Sequence, residues 1–179
     1  MDRTSTAAGF TIRRLHPGDV DALYDLASKN EIFYQYHPPF ITRERLLEDM
    51  EALPPGRTAE DKFFLGFFEG CRLAAVMDLI LGYPEEGAAW IGWFMVEREL
   101  QGRGVGTEII QSCEAYLAKR GYGSLRLAID QGNPQSRAFW TKNGFVQNGK
   151  EIPNEVSAYI PMKKELQMEA EMPRETCTT

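Results

Sequence analysis

The sequence predicts a single mixed α/β (α+β) domain in which a central mixed sheet of about seven strands is flanked by about four helices. Three observations lead to this fold class. The chain of 179 residues is long enough to bury the core of one domain. Segments with strand character outnumber segments with helical spacing, and they pair as hairpins towards both ends. We expect a flexible N-terminus over residues 1–9, the domain over 10–164 and a polar, disordered tail over 165–179.

The N-terminal part of the domain predicts one strand and two helices. Residues 10–15 have strand character, and apolar residues at helical spacing predict a helix over 18–29. A second helix follows Thr42, whose hydroxyl suits an N-cap, and it ends at Pro54. The aromatic segment 30–41 between them contains two adjacent prolines, which predict a loop rather than a helix. Such a loop either lines a pocket or plugs the edge of the core, and the sequence favours neither.

Three strands follow in the middle of the chain. Residues 62–69 and 73–81 predict a tight hairpin that turns at Gly70. The nearly continuous apolar run 88–96 is typical of a central strand covered on both faces.

The remaining elements alternate between helix and strand before a closing strand pair. Glycine after a helix and Asn-Pro before one are the signals that bound them. They are a helix from Gly104 or Val105 to Gly121, a strand over 125–129 ending at Asp130, a helix that starts at Asn133-Pro134 and stops at Gly144, and strands over 145–152 and 156–163.

Composition and charge narrow the function classes. The net charge of −6 speaks against binding nucleic acid and is compatible with a cationic substrate. No apolar run approaches the roughly 20 residues of a membrane span, and residues 1–9 lack a signal-peptide core, so we expect a cytoplasmic protein without membrane contact. Two histidines and the widely spaced Cys71, Cys113 and Cys177 indicate neither a metal site nor a disulfide framework. We expect Cys113 to pack in the core.

The junction from Val96 to Thr107 carries the most chemistry. A buried strand ends there, three glycines alternate from Gly102 to Gly106, and a helix begins. Glycines let backbone N–H groups approach a ligand, and the first turn of a helix attracts anions. Arg103 adds a charge for a phosphate oxygen. The spacing fits neither a P-loop nor the dinucleotide fingerprint, so we favour a phosphate cradle over a plain connecting turn.

Two blocks of sequence resemble a known family. Gln101 to Gly106 reads Gln-x-x-Gly-x-Gly before an amphipathic helix, and it is similar to the acyl-CoA pyrophosphate loop of the GNAT family, the Gcn5-related N-acetyltransferases. The family's next conserved helix is similar, with slightly shifted spacing, to Asn133-Pro134, Ala138-Phe139-Trp140 and Asn143-Gly144-Phe145. The resemblance covers about residues 10–164 in the expected element order, and it implies one GNAT-like domain.

The resemblance also implies a site for acetyl-CoA and no metal. In the family, the strand before the loop binds the pantetheine arm and splays from the next strand, so that the thioester enters the gap. A backbone N–H near Phe94 or Met95 would then polarise the thioester carbonyl. The acetyl-CoA site implied in this way consists of Phe94, Met95, Val96, Gln101, Gly102, Arg103, Gly104, Val105, Gly106, Thr107, Asn133 and Trp140.

Trp140 stands where many members of the family place a tyrosine that protonates the leaving thiolate. Indole N–H donates a hydrogen bond but is not a practical acid, so this role is vacant or belongs to another residue. Packing of Trp140 against Phe139 and the sheet explains it as well as contact with the cofactor does.

Several carboxylates compete for the role of general base. Asp78 is the first candidate, because it lies inside an apolar strand where a charge needs a reason. Glu85 and Glu86 suit a solvated loop, and Asp130 suits a turn or a cap. The candidates for lining the acceptor pocket are Tyr34, Tyr36 and His37.

We therefore expect an acetyl-CoA-dependent N-acetyltransferase that acts on a primary amine of a small molecule or a protein. The missing tyrosine keeps open a non-catalytic acyl-CoA-binding sensor on the same fold. A third reading is transfer of a longer acyl group or transfer to a hydroxyl. A homodimer is compatible with an apolar sheet edge.

Overall fold

The computed structural model describes residues 5–7 and 9–167, and its centre is one mixed sheet. The strands are Ser5–Ala7 (β1), Phe10–Arg14 (β2), Lys62–Glu69 (β3), Arg72–Leu81 (β4), Ala88–Val96 (β5), Ser124–Asp130 (β6), Val146–Gln147 (β7), Ile152–Pro153 (β8) and Ala158–Glu165 (β9). Over these described ranges the order is β1-β2-β3-β4-β5-β6-β9-β7, with β8 also paired to β9. β5 and β6 run parallel, and the other neighbours run antiparallel.

Helices cover both faces of this sheet. They are Val20–Ser28 (α1), Glu31–Tyr36 (α2), Arg43–Glu51 (α3), Val105–Lys119 (α4) and Pro134–Lys142 (α5). The apolar run of β4 explains the two layers, because successive side chains of a strand point to opposite faces. Val76 packs with Leu23 and Leu46 of the α1–α3 layer, whereas Met77 packs with Ile109 of the α4–α5 layer. Both faces of the strand are therefore buried.

The helix-boundary signals in the sequence are confirmed. Thr42 caps α3 by accepting a hydrogen bond from the backbone N–H of Arg45 at 3.2 Å. Asn133 caps α5 in the same way through the N–H of Ser136 at 3.0 Å. Gly121 follows α4 with a φ of +83°, the left-handed conformation that ends a helix.

The segment between α1 and α3 corrects the sequence analysis, which predicted a loop throughout residues 30–41. The structure has a short helix, Glu31–Tyr36, and the two prolines follow it instead of interrupting it. Proline disfavours helix at its own position and at the residue before it, so its influence reaches back only to His37. The residues upstream were free to form a helix.

The two ends of the domain differ from the prediction as well. The strand expected over 145–152 is replaced by two-residue bridges, β7 and β8. Both pair with β9, which is the strand expected over 156–163, displaced by two residues. Ser5–Ala7 pairs with β2 where a flexible N-terminus was expected, and Leu166 is buried in the core. The described sheet thus has nine strands rather than about seven, with five α-helices rather than about four. The rest of the expected tail, and with it Cys177, lies outside the described residues.

The pairing of β5 is interrupted at Gly92, and this interruption creates the site. β5 pairs with β6 only from Ala88 to Ile91, beyond which the two strands separate. On its other edge, β5 has Ile91 opposite Leu79 and Trp93 opposite Asp78, so Gly92 is the extra residue of a β-bulge. Because parallel strands that part leave unpaired backbone groups on both edges, the gap between them is suited to an extended ligand.

Candidate acetyl-CoA and acceptor site

A groove of about 640 Å³ occupies the gap between β5 and β6. The separated strands form its walls, and the turn before α4 and the first turns of α5 close it. Ten of the twelve predicted cofactor residues line it: Phe94, Met95, Val96, Gln101, Gly102, Gly104, Gly106, Thr107, Asn133 and Trp140.

The glycine turn at the end of the groove has the geometry of an anion cradle. Gly104 is the N-cap of α4 with a φ of +88°, and no side chain caps the helix. A Cβ at Gly102 or Gly104 would meet nothing within 4 Å, so the backbone here faces open space. Since the first N–H groups of a helix lack partners within it, they are available to a bound anion. Gly106 serves packing instead, because a Cβ there would lie 3.0 Å from the ring of Phe139.

Gln101 lines the groove, but its side chain is engaged with the protein. Its Nε2 donates to the carbonyl of Val96 at 2.9 Å and also to the side-chain oxygen of Asn30. Its Oε1 accepts from Nε2 of Gln135 at 3.1 Å. Gln101 thereby ties the turn to the end of β5, the start of α2 and α5, which fixes the position of the cradle.

Arg103 and Val105 are the two predicted cofactor residues that do not line the groove. Arg103 is exposed beside the turn, and Val105 begins α4 and packs partly against the core. Their positions give no direct contact with the cavity, so any role in binding lies at its outer edge.

Trp140 is both a packing residue and a groove residue. It is buried, and its ring lies 5.0 Å from those of Phe139 and Phe145 and 5.9 Å from that of Phe94. Asn133 is likewise buried at the groove while it caps α5. The packing role that the sequence left open for Trp140 is therefore confirmed, and the same side chain lies at the groove.

A second cavity, the acceptor chamber, adjoins the groove at the bulge. It measures about 390 Å³ and lies between α2, α3 and the central strands. The residues that line both cavities are Phe33, His37, Gly92 and Trp93. Tyr34 lines the chamber, and its buried hydroxyl has no partner among the described residues. Tyr36 lines neither cavity; its ring lies beside Gly132 instead, which corrects the sequence analysis.

Asp78 lies in the chamber wall and forms a buried ion pair. Its Oδ2 accepts from Nζ of Lys62 at 2.9 Å, whereas its buried Oδ1 has no partner among the described residues. Burial raises the pKa of Asp78 above its ordinary value, and the Lys62 ion pair opposes that rise. A Cβ at Gly92 would lie 2.6 Å from Oδ2, so the glycine at the bulge is what leaves room for this carboxylate.

His37 pairs with Asp130, a contact that the sequence does not predict. Nδ1 of His37 lies 3.1 Å and 3.2 Å from the two carboxylate oxygens of Asp130. Asp130 is buried where β6 ends, and its partner is 93 positions away in the sequence, so no local pattern connects them. The turn or capping role expected for Asp130 belongs to its backbone, whose carbonyl accepts from the N–H of Asn133.

The remaining candidate carboxylates and Cys113 lie outside the two cavities. Glu85 pairs with Arg126 and, like Glu86, lines neither cavity. Cys113 packs partly buried against the core, as expected, and desolvation raises the pKa of its thiol to about 12. In the described residues no group of three or more His, Cys, Asp and Glu side chains is placed to hold a metal ion. No helix in the same ranges is long and apolar enough to cross a membrane.

The site thus combines splayed parallel strands, a β-bulge and a glycine turn at the start of a helix. A family model described as the acetyltransferase (GNAT) family matches residues 20–145, and the chain belongs to this family. Among curated proteins, none matches the sequence significantly.

Similar solved structures share the fold. An acetyltransferase from Thermus thermophilus has 21% identity and a TM-score of 0.69, over 90% of this chain and 100% of that one. The PaiA N-acetyltransferase from Thermoplasma acidophilum, in complex with coenzyme A, has 21% identity and a TM-score of 0.64, over 87% and 98%. A spermidine N-acetyltransferase from Vibrio cholerae, in complex with CoA and spermine, has 17% identity and a TM-score of 0.67, over 90% and 98%.

Proposed function

We propose that this protein transfers the acetyl group of acetyl-CoA directly to a primary amine. The observation that carries the proposal is the meeting of two cavities at Gly92 and Trp93. A thioester in the groove and an amine in the chamber would come into contact there. Holding two reactants in the right geometry supplies a large part of the reduction of the barrier.

Different parts of acetyl-CoA match different parts of the groove. The pyrophosphate would accept hydrogen bonds at the Gly102–Gly106 turn, with Arg103 adding charge from the exposed side. The pantetheine arm would lie along the edge of β5 that β6 leaves unpaired, between Trp93 and Val96. A backbone N–H near Phe94 or Met95 would then polarise the thioester carbonyl. Two similar structures named above are complexes with coenzyme A, which supports this assignment.

The chamber suits an amine acceptor with an apolar body. Its carboxylates, Asp49 and Asp78, offset the charges of Arg45 and Lys62. Its aromatic wall includes Phe64 and Trp93, and it also holds the carboxylate of Asp49, which is in no ion pair among the described residues. Burial raises the pKa of that carboxyl. The unpartnered Oδ1 of Asp78 and hydroxyl of Tyr34 offer further acceptors for the N–H groups of an amine. The acceptor of one similar structure is spermidine by its name, an amine of this general kind.

Two roles are open to Asp78 within this function. It is the base that the sequence analysis expected, or it binds the N–H groups of the acceptor. Its place in the chamber and its raised pKa support either role. The acidic balance of the chain further supports an enzyme that does not bind nucleic acid. The proposal also includes a cytoplasmic location without membrane contact, and it is compatible with a homodimer.

The function is tested by measuring thiol release from acetyl-CoA across a panel of primary amines. Binding of acetyl-CoA is followed in parallel by calorimetry. We expect binding together with acceptor-dependent release for at least one amine with an apolar body. Binding without release for any acceptor would instead favour the non-catalytic sensor, and the absence of binding would refute the proposal.

A further inference from the structure

The His37–Asp130 pair joins two elements that meet only in the folded protein. Because a carboxylate can only accept, Nδ1 of His37 carries the hydrogen in the contacts at 3.1 Å and 3.2 Å. In the neutral ring this leaves the lone pair on Nε2, which forms none of the described hydrogen bonds. A histidine held in this tautomer by a buried carboxylate is ready to take up a proton.

The ring of His37 lies at the junction where the proposed reaction would occur. It lines both the groove and the acceptor chamber. Its side chain is 36% exposed, whereas that of Asp130 is 10% exposed. The ring packs between Phe33, at a centroid distance of 5.1 Å, and Tyr159, at 6.3 Å. Access to both cavities, combined with a fixed orientation, is what a general base needs.

Asp78 is less suited to the same task. Lys62 already occupies its Oδ2, and the pair is buried, with side chains 6% and 11% exposed. Protonation of Asp78 would leave the charge of Lys62 buried without its counter-ion, which is costly. Protonation of His37 creates a cation beside the carboxylate of Asp130 instead, and this pairing is favourable.

We infer that His37 is the general base for the acceptor amine, that Asp130 is its positioning residue, and that Asp78 binds the acceptor through its unpartnered Oδ1. The inference rests on the proposed function. One proton of the acceptor ammonium passes to Nε2 of His37, and the electron pair stays on nitrogen. The nitrogen forms the C–N bond to the acetyl carbon while the C–S bond breaks and its electron pair leaves with sulfur. The nitrogen's next proton neutralises the thiolate, and His37 releases the first proton to solvent.

Other charged groups face the two cavities around His37, and they bear on its pH dependence. On the chamber side they are Arg45, Asp49, Lys62 and Asp78, and on the groove side they are Lys142 and the phenol of Tyr159. Asp130 forms the ion pair with the ring, and Tyr159 packs against it. A pH profile alone therefore does not identify the base, and the test must remove the imidazole and then restore it.

The experiment compares His37→Ala, Asp130→Asn and the double variant with wild type, using an acceptor from the amine panel. We expect His37→Ala to lower kcat by about 10²- to 10⁴-fold, the usual contribution of a general base. The affinity for acetyl-CoA should stay unchanged. Added imidazole should restore part of kcat in His37→Ala and none in Asp78→Asn.

The role of Asp130 is tested by comparing kcat of the double variant with kcat of the two single variants. Because it acts through His37, Asp130→Asn should lower kcat, but the double variant should be no slower than His37→Ala alone. Additive losses would assign Asp130 a separate structural role and contradict the pair. A His37→Gln variant keeps a polar side chain of similar size and should be as slow as His37→Ala.

The outcomes separate this inference from the proposed function. Wild-type kcat in both His37→Ala and His37→Gln, with a large loss of kcat in Asp78→Asn, would overturn the inference and return Asp78 to the role of base. Wild type without any acceptor-dependent release would overturn the proposed function and, with it, the inference.

Discussion

The groove and the acceptor chamber are neighbouring cavities built in different ways. The groove is made largely of backbone: the unpaired edges of β5 and β6, and a turn whose Gly104 is in the left-handed region. The chamber is made of side chains from distant segments, among them Tyr34, Lys62 and Asp78. In the proposed function, the backbone site takes acetyl-CoA, which does not change with the acceptor, whereas the side-chain site takes the acceptor itself. The following predictions test that division, beginning with the largest effect.

The first prediction concerns the buried ion pair of the chamber. Lys62→Met should lower the free energy of unfolding by about 3–5 kcal/mol, because it leaves the carboxylate of Asp78 buried without a partner. The double variant Lys62→Met/Asp78→Val should regain most of that loss, since apolar residues can replace a buried pair. Urea unfolding curves measure both.

Lys29→Met is the matched control for that variant. Its pair with Asp25 has the same type of contact at 2.8 Å, but the two side chains are 48% and 69% exposed. An exposed pair of this kind contributes only about 0.3–0.5 kcal/mol. If Lys62→Met lowers the free energy of unfolding no more than Lys29→Met does, the Lys62–Asp78 pair is not desolvated in solution. The chamber would then depend less on buried side chains than described.

The second prediction concerns the backbone site. Gly104→Leu should weaken acetyl-CoA binding by at least about 100-fold, equal to about 2.7 kcal/mol. The side chain would enter open space that the anion needs, and the left-handed backbone would be strained at about 1–2 kcal/mol. Calorimetry measures the affinity, and circular dichroism confirms that the domain remains folded.

Gly121→Leu carries the same conformational strain at the opposite end of α4. Its φ is +83°, against +88° for Gly104, and a Cβ at either position would meet nothing within 4 Å. We expect wild-type affinity in Gly121→Leu despite a similar loss of stability. Equal loss of affinity in the two variants would mean that strain in α4, rather than the cradle, controls binding.

The same division explains how much the sequence could predict. The cradle, the bounds of most strands and the caps at Thr42 and Asn133 follow from contiguous residues with fixed local geometry, and they were predicted. The pair of His37 with Asp130 depends on which distant segments the fold brings together. That of Lys62 with Asp78 depends on the register of the predicted hairpin, which an irregularity between Phe67 and Phe68 shifts. No periodicity encodes such a juxtaposition. The helix at Glu31–Tyr36 was not predicted, because the two prolines that follow it suggested a loop although they do not act on the residues upstream of His37.

The smallest expected effect concerns Asn133, whose side chain both caps α5 and lines the groove. Its Oδ1 caps α5, so Asn133→Ala should lower the free energy of unfolding by about 1 kcal/mol. Thr42→Ala removes an equivalent cap from α3 and should cost about the same, without changing acetyl-CoA affinity.

Asn133→Asp separates the two roles, because a carboxylate retains the cap but lacks the N–H donor that an amide offers to a ligand in the groove. We expect wild-type stability in Asn133→Asp and about tenfold weaker binding of acetyl-CoA, the loss of one hydrogen bond. Thermal unfolding and calorimetry on the three variants give both quantities. Wild-type affinity in Asn133→Asp would mean that Asn133 only caps α5. The groove would then bind acetyl-CoA through its backbone and Trp140.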